Sequence, residues 1–124
     1  MIRHVSAVCL AAALVIPAVA MSRSGNFERV PAKAHLRTNP MRANVQNLES
    51  GRELYRDHCA QCHRFDAQGD LHRPSLRTES IRKATDGDLE WFLREGNLRK
   101  GMPSWSSLPE SQRWLIVDYL RSLP

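Results

Sequence analysis

The sequence predicts a small all-α domain in which three main helices are joined by long loops. Apolar residues recur three or four positions apart in three segments, near residues 48–58, 89–93 and 114–123, and each segment opens on capping residues. Glycine and proline interrupt the stretches between them, and neither a β alternation nor an internal repeat is present. A chain of 124 residues has room for one such domain. Its core is marginal in size, so an internal cofactor, metal or disulfide is expected to supplement it.

Residues 1–20 read as a secretory signal. Arg3 and His4 precede an apolar run from Val5 to Val19, and Ala18-Val19-Ala20 offers small residues for cleavage after Ala20. An uncleaved membrane anchor is the other reading, although the run is shorter than the roughly 20 residues that span a bilayer. Cleavage removes Cys9 and leaves 17 basic against 13 acidic residues, a net charge of +4. The arginines are scattered rather than clustered on one element, which suits solubility and steering toward an acidic protein partner; no nucleic-acid partner is expected.

Residues 21–46 are polar, with Gly25, Pro31 and the turn signal Asn39-Pro40, and read as an irregular arm that either wraps the domain or stays disordered. The domain itself is expected over residues 47–124. Its first helix starts near Leu48, with Ser50 and Glu53 in capping-box spacing and Asn47 as a rival cap. Leu48, Gly51, Leu54, Tyr55 and His58 form one face and lead directly into Cys59.

Cys59-Ala60-Gln61-Cys62-His63 reads CxxCH, the covalent attachment pattern of a c-type haem. A short turn presents both sulfurs to the vinyl groups on one porphyrin edge, and His63 then falls beneath the iron as the proximal ligand. Export and attachment support each other, since a cysteine pair in an oxidising compartment forms a disulfide or something held more tightly. Two other readings use the same cysteines. In a zinc module, Cys59 and Cys62 would be joined by two of His58, His63 and His72. A thiol oxidoreductase would need a preceding strand, where this chain has a helix.

Residues 64–84 read as loop, broken by Gly69 and Pro74. Thr85 opens the second helix with Asp88 completing a capping box; Leu89, Phe92 and Leu93 form its buried face, and Gly96 ends it. Residues 97–107 are a second loop containing Gly101-Met102-Pro103. Ser107, Pro109 and Glu110 start the last helix, whose apolar face includes Trp114, Leu115, Val117, Tyr119, Leu120 and Leu123.

In this order of parts the chain resembles the class I monohaem cytochromes c. The pieces are Gly51-Arg52-Glu53-Leu54-Tyr55 before the CxxCH, then Pro74, Gly101-Met102-Pro103 and the Trp114 to Leu123 helix. The resemblance implies a small cytochrome c fold around one covalently attached haem c. It implies that the first and last helices cross closely at Gly51 and Tyr119, and that the iron ligands are His63 and Met102. It also implies that the Pro74 carbonyl accepts the other N–H of His63. The family carries glycine after the histidine, where this chain has Arg64.

Met41 competes with Met102 for the sixth position, and His35, His58 and His72 are alternative ligands. Arg73 or Trp105 is a candidate to hold a haem propionate. Arg99 and Lys100, just before the Met102 loop, are either a docking pair or a solvated one. The function expected is an exported, periplasmic electron carrier, not an enzyme, monomeric, with redox protein partners such as a membrane or periplasmic dehydrogenase or oxidase. A haem subunit of such a complex and a ligand-binding haem sensor are the alternatives.

Overall fold

The computed structural model describes residues 27–41 and 43–124. The expected signal segment lies outside the described residues. Among the described residues six α-helices follow in order: α1 (Ala32–His35), α2 (Val45–His58), α3 (Ala60–His63), α4 (Glu79–Lys83), α5 (Asp86–Glu95) and α6 (Glu110–Ser122). A 3-10 turn, Leu98–Lys100, lies between the last two. No strand occurs among the described residues; Asn97 and Met102 form an isolated antiparallel bridge. The described residues form a small all-α fold with three main helices, α2, α5 and α6.

Helix α2 begins earlier than its apolar period suggests. The cap is Asn44, whose side chain accepts from the Asn47 backbone N–H at 2.9 Å, so Ser50 and Glu53 lie inside the helix and Asn47 is not the cap. Val45 is 85% exposed, and the first turn therefore leaves no apolar signature. Apolar periodicity locates a buried face, and a solvated first turn lies beyond its reach.

The face of α2 packs on α6 at Gly51. A Cβ there would lie 2.1 Å from the Leu115 carbonyl oxygen and 3.1 Å from the Tyr119 Cβ, a separation only glycine permits. The Tyr55 and Tyr119 rings lie 5.1 Å apart beside this crossing. Tyr55, Trp114, Ile116 and Val117 are buried there, and Leu89 and Leu93 of α5 complete the core.

Helix α5 opens on the expected capping box. Thr85 Oγ1 accepts from the Asp88 N–H at 3.1 Å, while Asp88 Oδ2 accepts from the Thr85 N–H at 2.9 Å. Gly96 closes the helix with φ 69°. Two expectations are corrected nearby. Residues 79–83, expected as loop, form α4, a single turn capped by Thr78 that buries no residue and so carries no periodic signal. At α6 Ser107 does not cap; Pro109 holds the cap position without a side-chain bond. The Glu110 carboxylate instead takes the Trp114 indole N–H at 3.2 Å and the Arg37 guanidinium at 2.5 Å. Those two donors hold Glu110 below the usual carboxylate range.

The described part of the arm wraps α5 and α6 and contains α1, one turn that the sequence reading did not include. Its backbone meets α5 at Gly87, where a Cβ would lie 1.9 Å from the Ala34 carbonyl oxygen. Thr85 Oγ1 donates to the His35 carbonyl at 2.8 Å, and His35 Nδ1 lies 2.9 Å from the buried Asp88 carboxylate. Asn39 donates to the Trp114 carbonyl at 3.1 Å and to Asp118 at 2.7 Å. Phe27 packs on Phe92 with ring centroids 5.7 Å apart.

Candidate haem site

Helix α2 ends by handing the chain to the CxxCH turn. The Cys59 N–H donates to the Tyr55 carbonyl at 2.8 Å, and the Cys59 carbonyl accepts from Cys62 N–H at 3.1 Å and His63 N–H at 2.9 Å. Cys62 and His63 therefore lie in the single turn α3, and Cys59 is its cap residue. Both cysteines are free thiols, Cys59 buried and Cys62 less so. Burial, and then the neighbouring Cys62, push the Cys59 thiol up to about 12, so it stays neutral at physiological pH.

The loop after His63 folds back on it. His63 is 9% exposed, and its Nδ1 lies 2.9 Å from the Pro74 carbonyl oxygen. A carbonyl can only accept, so Nδ1 carries the proton and the Nε2 lone pair is left as the donor for a metal. The loop turns on Arg64, with φ 66° and ψ 161°, and on Ala67, with φ 59°. Arg64 thus adopts a backbone conformation that glycine enters freely and other residues do not. Tyr55 holds it there, its hydroxyl donating to the Arg64 carbonyl at 2.7 Å. Gly69 donates to the His63 carbonyl at 3.1 Å, and Asp70 closes the tip by accepting the Arg73 N–H at 2.9 Å.

Met102 lies on the loop after α5, half-buried against the core. It pairs with Asn97 in both directions, at 2.8 and 3.0 Å. Gly96 lets the following strand of loop approach, since a Cβ there would lie 2.5 Å from the Pro103 backbone. The two loops meet where the Arg73 guanidinium sits 2.9 Å from the position of a Gly101 Cβ. Each carries an exposed leucine, Leu71 at 99% and Leu98 at 76%.

The competing candidates have their own surroundings. His35 is engaged with Asp88, His58 packs on the Trp105 ring at 5.1 Å, and His72 is exposed at the loop tip. Met41 follows Asn39, which is fixed on α6. Among the described residues no three His, Cys, Asp or Glu side chains gather as a metal-ion site. Arg77 was not singled out from the sequence. Its Nε is buried without a partner, and it lines a cavity of about 170 Å³ with Leu76, Ile81, Leu120 and Leu123. No spacing rule flags an arginine of that kind.

These residues fit a haem c. Two reduced thiols share a turn with a buried imidazole of fixed tautomer, and a thioether lies on a loop in contact with the imidazole's own loop. Apolar surface flanks both loops, and a buried guanidinium nitrogen lacks an acceptor of the kind a carboxylate supplies. Fold and site together define a c-type cytochrome domain. A family model described as cytochrome c oxidase, cbb3-type, subunit III matches residues 46–120, and the chain belongs to that family. A comparison with the curated proteins finds no match. The domain binds covalent haem c and transfers electrons through its iron. Among the described residues no helix is long and apolar enough to cross a membrane.

Proposed function

We propose that this is an exported, periplasmic electron-transfer protein, monomeric by itself, that carries one electron as the haem-bearing partner of an oxidase. Cys59 and Cys62 form the two thioethers, His63 is the proximal ligand through Nε2, Met102 is the distal ligand, and the Pro74 carbonyl orients the His63 ring. Residues 1–20 are the export signal, 21–46 the arm and 47–124 the haem domain. The observation that carries this reading is the His63 Nδ1 to Pro74 carbonyl contact of 2.9 Å one turn from two free thiols. The family description, an oxidase subunit, favours an oxidase over a dehydrogenase as the electron acceptor.

When bound, the haem supplies a one-electron iron couple. The chain's own residues set how that couple behaves. The proton on His63 Nδ1, held by Pro74, keeps the ring in place and strengthens Nε2 as a donor. A neutral thioether from Met102 favours reduced iron more than a second imidazole does. With Met102 as the second ligand, a small molecule would have to displace its sulfur to reach the iron, which suits electron transfer and disfavours the sensor reading. Arg99 and Lys100 lie exposed immediately before Gly101, where an acidic partner would approach.

The test is to express the full chain in a bacterium equipped for haem attachment. The periplasmic product is expected to be red, to begin at Met21, and to retain its haem in acidified acetone. A colourless product, or haem that acetone extracts, overturns the attachment reading.

A further inference from the structure

We propose that residues 27–41 clamp the Met102 loop through the side-chain chain Arg37, Glu90 and Arg113, which makes these three positioning residues for the sulfur ligand. The inference rests on Met102 being that ligand. The Arg37 end of the clamp precedes the family match, which covers residues 46–120.

Arg113 of α6 is 5% exposed and holds the end of the loop. Its Nη1 donates to the Leu108 carbonyl and, at 3.5 Å, to that of Trp105, while its Nε donates to Glu90 Oε1 at 2.8 Å. Glu90 of α5 is fully buried, and its second oxygen accepts from Arg37 Nη1 at 3.2 Å. Arg37 comes from the arm and also bonds Glu110, with its guanidinium 5.1 Å from the centre of the Trp114 ring.

A buried carboxylate shared by two guanidinium groups has each oxygen satisfied by a different partner, and loss of either partner leaves charge uncompensated. When Arg37 is withdrawn, Glu90 turns its freed oxygen toward Arg113 and shifts that guanidinium relative to the Leu108 and Trp105 carbonyls. The loop between Gly96 and Pro109 is also held by the end of α5 and by the packing of the Trp105 ring on His58 of α2. Trp105 N–H donates to the Leu93 carbonyl at 2.9 Å, and Ser104 Oγ donates to that of Arg94 at 2.6 Å. Helix α5 therefore has the arm on its first turns and the Met102 loop on its last. The close approach at Gly87 and the Asn39 bonds to α6 make the arm a fixed body against which Arg37 can pull.

The test uses the ferric holoprotein and imidazole as a competitor for the sixth position, with the sulfur-to-iron charge-transfer band as a second readout. Arg37→Gln and Gly87→Ala, which displaces the arm by another route, are each expected to bind imidazole about tenfold more tightly, the scale of one charge-assisted hydrogen bond. Arg37→Lys should recover part of the difference, and the haem should remain attached throughout. Wild-type imidazole affinity in both variants overturns the clamp, even where their urea midpoints fall. Met102→Ala separates the two readings. If that variant keeps the sulfur band, the ligand assignment fails and the clamp with it; if it loses the band while Arg37→Gln and Gly87→Ala bind like wild type, the clamp alone fails.

Discussion

His63 and Met102 differ in how far along the chain their supports lie. His63 is held by Tyr55, Arg64 and Pro74, through hydrogen bonds that span 9 and 11 residues. Met102 pairs locally with Asn97, but the proposed clamp on its loop runs through Arg113 and Glu90 to Arg37, which lies 53 residues from Glu90. A support built from near neighbours forms with little loop-closure entropy, whereas one assembled from three elements forms only when the domain has closed. If Met102 is the sulfur ligand as proposed, the attachment side should persist and the sulfur side should be the first to let go when packing loosens.

The largest effect should come from striking what both sides share. Gly51→Ala puts a methyl group 2.1 Å from a backbone oxygen at the α2–α6 crossing, and neither helix can yield without moving its whole face. A loss of about 3 kcal/mol in urea unfolding is expected, the upper end for overpacking. A loss below about 1 kcal/mol would show that the crossing does not underlie the two sides equally.

A smaller effect separates them. Arg64→Gly removes a strained backbone from the His63 side and touches nothing on the Met102 side. Relief of about 1–3 kcal/mol of strain, less the extra freedom of glycine in the unfolded chain, leaves a gain of about 1 kcal/mol. It should appear as a higher urea midpoint at unchanged slope, with imidazole affinity unaltered. Loss of stability would mean that the Arg64 side chain contributes more than its backbone costs.

The same difference in range explains what the sequence showed. CxxCH is a local pattern, and so is the Thr85 box with Asp88 three residues on, because the interacting atoms are fixed by spacing alone. Gly51 became legible only through a family resemblance, since nothing nearby says that Leu115 must pass within contact of it. Arg64 was visible as a departure from that family, but its positive φ and the Tyr55 hydroxyl that holds it were not. Arg37, Glu90 and Arg113 each look like ordinary surface charges in sequence, and only the folded chain brings the half-exposed Arg37 onto the buried Glu90 and Arg113. Gly87 likewise lies in a helix, and its reason is the Ala34 carbonyl of a segment that has too little apolar content to announce packing.

Ligation of the iron by Met102 is open to a single spectroscopic measurement. In the reduced holoprotein labelled with 13C-methyl methionine, a methyl group bound above the haem is driven far upfield by the ring current. The account predicts one such resonance, lost on Met102→Ala and retained on Met41→Ala. An upfield methyl that disappears with Met41, or no upfield methyl at all, would contradict it.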